Sequence, residues 1–138
     1  MKNLTPSEFR DILDELKIVH RKSSDNSFSL VLRADEDFDE DVTVTFSIEE
    51  RRIQFWGISP GYGEGMSRFD RMEFCNAWNI EHCLPKAFVD GDEDFVVEWT
   101  VFDDEEVSRE YLTENFVRLG LSAIWSFFKE LRASSSTL

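Results

Sequence analysis

The sequence predicts an α+β fold with the element order α-β-β-β-α-β-β-α, a twisted antiparallel sheet with helices mainly on one face. Two observations predict this class. Several runs of residues alternate between apolar and polar side chains, as is typical of strands with one buried face. Two other segments, near the start and the end of the chain, repeat apolar residues at helical spacing, and a third predicted helix in the middle is apolar on several sides. The links between the alternating runs are short or turn-like, which favours antiparallel neighbours.

The first predicted helix has a complete start signal. Thr5 is a good N-cap, Pro6 stands at the first helical position, and Glu8 completes a capping box. Leu4 and Phe9 are placed to form a hydrophobic staple across this start. The apolar residues that follow predict one buried stripe, made of Phe9, Ile12, Leu13 and Leu16.

Three strands are predicted after this helix, each with one apolar face. The alternating apolar residues are Phe28, Leu30 and Leu32 in the first, Val42, Val44, Phe46 and Ile48 in the second, and Ile53 and Phe55 in the third. An acidic loop at 35–41 separates the first two strands, and the link at 49–52 is short enough for a hairpin. The pattern predicts an antiparallel meander.

A second helix is predicted from Ser67 to Asn79 or Ile80, and its apolar residues spread around most of its circumference. Because one sheet covers only one side of such a helix, we expect a homodimer with this helix near the interface. The candidate interface residues are Phe69, Met72, Phe74, Trp78, Ile80 and Trp125. In the alternative, the long final helix covers the second helix and the protein is a monomer.

A β-hairpin and a long helix complete the domain. The hairpin turns at 90–94, and the last helix begins near Ser108, after an acidic run at 103–106. The second hairpin strand places Phe95, Val97, Trp99 and Val101 on its inner face, and the last helix has a stripe of Val117, Leu121, Ile124, Phe128 and Leu131. We expect a single domain at 1–132 and a disordered serine-rich tail at 133–138.

The segment 76–101 resembles the YbjN family of bacterial proteins, which are described as sensory transduction regulators. The matching residues are Asn76, Trp78, Asn79, the Lys86-Ala87-Phe88 strand, Asp90 and Gly91. The resemblance implies a fold similar to that of type III secretion chaperones, which are commonly dimers, and it implies no catalytic residues. We expect Asn76 and Asn79 to end the second helix and bond to backbone in the following link, the alternative being a polar site beside Trp78.

The charge balance limits the partners of the protein. Its 29 acidic and 15 basic residues give a net charge of −14, which opposes binding to nucleic acid and to anionic membranes. No apolar run approaches the length of a membrane span and no signal peptide is visible, so we expect a cytoplasmic protein. An acidic face that holds a basic partner or mimics DNA is an alternative to simple solubility.

The residues that commonly bind metals lack the required spacing. The zinc-ligand candidates are His20, Cys75, His82 and Cys83, and they form no paired ligand motif. Asp90, Asp92 and Asp94 resemble the start of an EF-hand loop, but Phe95 replaces the required glycine and Val101 the required glutamate. No nucleophile motif is present either, so we expect no metal, no cofactor and no enzymatic activity.

Three functions remain after these exclusions, the third of which is an enzyme of unrecognised type. The first is a chaperone-like or regulatory protein-interaction module that acts as a homodimer and binds an unidentified protein partner. The second is a sensor of a small ligand or nucleotide that uses the loop Gly61–Gly65, which follows a strand and precedes a helix. Glu64 puts a negative charge inside that loop, which opposes phosphate binding.

Overall fold

The computed structural model describes residues 4–36, 40–102 and 107–135, which form an α+β fold, as predicted. Within these ranges the elements are α1 (Pro6–Glu15), β1 (Arg21–Ser24), β2 (Ser27–Leu32), β3 (Val42–Glu49), β4 (Arg52–Ile58), α2 (Arg68–Glu81), β5 (Lys86–Val89), β6 (Phe95–Phe102), α3 (Arg109–Tyr111), a π-helical segment (Leu112–Leu119) and α4 (Gly120–Ser135). The strands form one antiparallel sheet in the order β1-β2-β3-β4-β6-β5.

The start of α1 has the predicted capping box. The Glu8 backbone N–H donates to Thr5 Oγ1 at 3.1 Å, and Glu8 Oε1 accepts from the Thr5 backbone N–H at 3.2 Å. The helix buries Phe9, Ile12 and Leu13 against the sheet. Because both terminal donors are satisfied locally, the helix holds its direction and its apolar stripe stays on the core.

The inner face of the sheet carries the core. The register aligns Phe28, Phe46, Phe55 and Trp99 across β2, β3, β4 and β6. The helices approach this face closely at two glycines: a Cβ added at Gly57 would lie 3.0 Å from Ile124, and one added at Gly120 would lie 2.6 Å from Phe55. Small residues at these positions allow α4 to pack directly on the central strands.

The outer face of the sheet has no helix on it in the described part of the chain. Within the described residues, every ring contact between a helix and a strand involves a strand residue on the inner face, such as Phe46 or Phe95. The outer face carries Thr45, Trp56 and Glu98 at paired positions, and all three are partly exposed. The prediction that the helices lie mainly on one face is therefore confirmed.

The strand count and some boundaries differ from the sequence prediction. Four strands, not three, lie between α1 and α2, because the short hairpin strand β1 was not predicted. All four β1 residues are exposed, so they lack the apolar alternation that marks the other strands. Helix α4 runs to Ser135, so 133–135 of the predicted tail are helical. Residues 37–39 of the acidic loop, the run 103–106 and the tail residues 136–138 lie outside the described ranges.

The final helix has a π-helical segment in its first half. The predicted stripe is fully buried at Val117, Ile124, Phe128 and Leu131, whereas Leu121 is half-buried. Phe127 lies outside that stripe and is also fully buried, because its ring meets α2. None of the helices in the described ranges has both the length and the apolar character needed to cross a membrane.

Candidate interaction surface on helix α2

Helix α2 lies beside the edge strand β5, and α4 covers its inner side. Its N-terminus is capped by Ser67, whose hydroxyl accepts from the Asp70 backbone N–H at 3.1 Å. The Phe127 ring of α4 contacts Phe74 and Trp78 edge-on, with ring centroids 5.3 Å and 5.2 Å apart. The final helix therefore supplies the intramolecular cover that the sequence left as an alternative to a dimer.

Trp78 is part of the core beneath α2. Its indole N–H donates to the Pro85 carbonyl at 3.2 Å, and its side chain is 4% exposed. The His82 ring stacks on the indole with centroids 3.7 Å apart, and His82 Nδ1 lies 3.0 Å from the Trp78 carbonyl. With His82 stacked on its ring and its N–H engaged, Trp78 fixes the chain between α2 and β5.

Asn79 connects α2 to the edge of the sheet. Its carboxamide N–H donates to the Ala87 carbonyl at 2.9 Å, and its Oδ1 accepts from the Ala87 N–H at 2.8 Å. The side chain thus pairs with β5 as the peptide of another strand would. The bonds reach the strand beyond the link in which they were expected, and the helix continues to Glu81. Asn76 is exposed, and its side chain forms no hydrogen bond within the described residues.

The outer side of α2 carries an apolar stripe in solvent. Phe69 is 70% exposed, Met72 52% and Ile80 77%, and Asn76 lies between the last two. These positions recur at helical spacing, so they share one face. Monomeric domains rarely leave so many large apolar side chains together in water, which makes the stripe a candidate interface.

The structure divides the six candidate interface residues into two groups. Phe69, Met72 and Ile80 form the exposed stripe. Phe74 is half-buried and Trp78 is buried, both facing α4. Trp125 lies on α4, half-buried, with the Lys129 ammonium 4.4 Å from its ring centroid.

The loop Gly61–Gly65 is held by Arg71 of α2. The Arg71 guanidinium donates to the carbonyls of Gly63 at 2.7 Å and Met66 at 3.1 Å, and also to the Glu93 carbonyl. The loop therefore turns these carbonyls toward a cation, the opposite polarity to a phosphate cradle. No local sequence pattern marks Arg71, because its acceptors are backbone atoms from separate turns.

The acidic turn between β5 and β6 is organised by one side chain. Asp90 Oδ1 accepts from the backbone N–H groups of Asp92 and Asp94, both at 2.9 Å. The carboxylates of these three residues offer ligand atoms within 4.8 Å of one another, so they are the described set best placed to hold a cation. Burial, followed by the charges of Asp90 and Asp92, raises the pKa of Asp94.

The two cysteines are free and differ in accessibility. Cys75 is buried under α2, and burial raises the pKa of its thiol to about 11. Cys83 is exposed in the link that follows the helix.

Comparisons with known proteins agree on the fold. A family model described as "YbjN: Putative bacterial sensory transduction regulator" matches residues 5–133. The chain is similar to a solved structure from E. coli described as "YbjN, a putative transcription regulator", with a TM-score of 0.74 and 16% identity. The similarity covers 96% of this chain and 94% of that one. Comparison with curated proteins gave no match. An identity of 16% shows a shared fold and nothing finer.

Proposed function

The chain belongs to the YbjN family, and on that premise we propose that it is a non-enzymatic regulatory module that binds proteins and acts as a homodimer through the outer face of α2. The observation that carries the proposal is the exposed stripe of Phe69, Met72 and Ile80. The opposite side of the same helix is packed on α4, and within the described residues no other element covers the stripe, which leaves it open to a second molecule. A chaperone-like role, in which this face captures another chain, is the finer form of the proposal.

The energy available from the stripe favours a reversible dimer. Burying a fully exposed large apolar side chain contributes about 1.5–3 kcal/mol, so six such side chains, three from each copy and each about two-thirds exposed, supply about 6–12 kcal/mol in total. Association costs about 4–15 kcal/mol. At the favourable ends of both ranges about 8 kcal/mol remains, which corresponds to a dissociation constant near 1 µM, so we expect a dimer no tighter than the micromolar range. Such a dimer can exchange its own copy for a different partner on the same face.

Asn76 is the polar residue at the centre of the proposed interface. It lies between Met72 and Ile80 on the stripe and has no hydrogen-bond partner within the described part of the chain. In a two-fold pair of α2 helices that cross near this residue, the two Asn76 amides meet and satisfy each other. A single polar residue in an apolar helix interface commonly fixes the register in this way.

The experiment measures mass by size exclusion with light scattering at tens of micromolar protein. We expect a mass near twice 16.2 kDa for the unmodified chain and near 16.2 kDa for Ile80→Glu, whose site is too exposed to disturb the core. Val19→Glu is the matched control, since Val19 is 92% exposed and lies far from α2 in the chain. An unmodified chain that elutes as a monomer, or equal effects of the two variants, contradicts the proposal.

A further inference from the structure

A small open cavity of about 210 Å³ lies between α2 and α4. Phe74, Ala77 and Trp78 form its wall, and Glu81 and Glu130 stand on the two helices that border it. Ligand pockets for drug-sized molecules run from about 300 to 1,000 Å³. The cavity is therefore too small for a nucleotide and is sized for a single side chain.

Among the residues that the structure describes, the two carboxylates at the cavity have no ion-pair partner. Neither Glu81 nor Glu130 takes part in an ion pair within the residues described, and both are exposed. The nearest cation along α4, Lys129, lies over the Trp125 ring with its ammonium 4.4 Å from the centroid. The cavity thus combines an aromatic wall with unpaired negative charge.

We propose that the α2–α4 cavity binds the side chain of an arginine on a basic segment of a partner protein. Guanidinium is planar, carries five N–H donors and is weakly hydrated, so one group can bond to carboxylates on two helices while its face or edge meets an aromatic ring. A lysine ammonium is a point charge that fits one carboxylate and holds its water more strongly. The presence of both Glu81 and Glu130 in the lining of one small cavity therefore favours arginine.

The charge of the whole chain supports a basic partner. A net charge of −14 attracts a cationic segment over long distances and raises its rate of association. This long-range attraction selects no position, and the cavity supplies the local specificity. The cavity lies on a different side of α2 from the stripe of Phe69, Met72 and Ile80, so this inference does not depend on the homodimer.

The test uses the full chain and a synthetic peptide, acetyl-Ala-Arg-Ala-Ala-Arg-Ala-amide, followed by ¹H–¹⁵N NMR titration. A peptide with citrulline in place of arginine keeps the shape and removes the charge. We expect saturable shifts of the Ala77 and Glu130 amides and the Trp78 indole with the arginine peptide at up to millimolar concentration. We expect about tenfold weaker binding for Glu81→Gln and for Glu130→Gln, since each removes one charge-assisted hydrogen bond.

Glu73→Gln is the matched control, because Glu73 is exposed on the same helix and does not line the cavity. A change of less than about twofold in the peptide's dissociation constant for Glu73→Gln supports the proposal, since that variant removes only long-range attraction. Equal weakening by all three variants identifies non-specific attraction and overturns the site. The site is also overturned by an absence of saturable shifts, or by equal binding of the citrulline peptide.

Discussion

Replacing Asn79 by alanine should loosen the joint between α2 and the sheet. The variant removes both hydrogen bonds to Ala87, one at 2.9 Å and one at 2.8 Å. A typical intramolecular hydrogen bond contributes about 0.5–1.5 kcal/mol net, so the pair contributes about 1–3 kcal/mol. Water reaches this partly buried edge, which favours the lower half of that range. Alanine also has a higher helix propensity than asparagine, which stabilises the variant by about 0.5 kcal/mol. The net loss in unfolding free energy should be about 1 kcal/mol.

Asn76→Ala is the matched control for this effect. It makes the same chemical change three residues earlier on the same helix, where the amide is exposed and has no hydrogen bond in the described structure. Only the propensity gain remains, so this variant should be slightly more stable than the parent chain. The difference between the two variants isolates the bonds to Ala87 at about 1–2 kcal/mol.

The assay is urea unfolding followed by tryptophan fluorescence at submicromolar protein, so that self-association does not contribute. Hydrogen exchange of the Ala87 amide reports the same joint locally, and it should become faster in Asn79→Ala alone. If both alanine variants have the same unfolding free energy within about 0.5 kcal/mol, the joint adds nothing and the reasoning is wrong.

Three further expectations follow from the packing and charges. Gly120→Ala should lower the unfolding free energy by about 1–3 kcal/mol, because the added Cβ would lie 2.6 Å from the Phe55 ring. The control, Gly91→Ala, adds a Cβ with no atom within 4 Å and should be near neutral. Equal unfolding midpoints for the two variants would contradict this. In the native protein at mildly alkaline pH, Ellman's reagent should titrate Cys83 quickly and Cys75 only on unfolding, since burial raises the Cys75 pKa to about 11; two equally fast thiols would refute it. Because burial and neighbouring carboxylates raise the pKa of Asp94 in the folded state, its charge opposes folding above that pKa, so Asp94→Asn should be more stable than the parent at neutral pH. In urea unfolding, the stability difference between Asp94→Asn and the parent should fade as the pH falls below the pKa of Asp94 in the unfolded chain. A difference that stays constant with pH would show that the charge of Asp94 is not its cause.

The sequence predicts those parts of the fold whose signals are local. Alternation located β2, β3, β4 and β6, and the Thr5 cap located α1, because burial on one face repeats at a fixed spacing. Strand β1 escaped prediction because an exposed hairpin strand carries no apolar period. The π-helical segment escaped it as well, since a change of backbone hydrogen-bond register leaves no distinct spacing in the side chains.

The candidate surface was predicted in part for the same reason. The spread of apolar residues around α2 indicated that one side would lack cover, and the structure leaves Phe69, Met72 and Ile80 on that side. The sequence could not separate these three from Phe74 and Trp78. Which side of α2 is buried depends on where Phe127 packs, and Phe127 lies far away in the sequence, on α4. The Arg71 contacts depend likewise on turns far apart in the chain.

The two edges of the sheet have a consequence for behaviour at high concentration. An open strand edge can template cross-β polymerisation, and a chain with 13 phenylalanines is at risk of it. On strand β5, the N–H and the carbonyl of Ala87 are already hydrogen-bonded to the Asn79 side chain. Strand β1 is four residues long, carries the charges of Arg21 and Lys22, and pairs with β2 in an irregular register. Neither edge accepts a further strand easily. Association of native molecules is thereby directed away from fibrils and toward contacts between side chains.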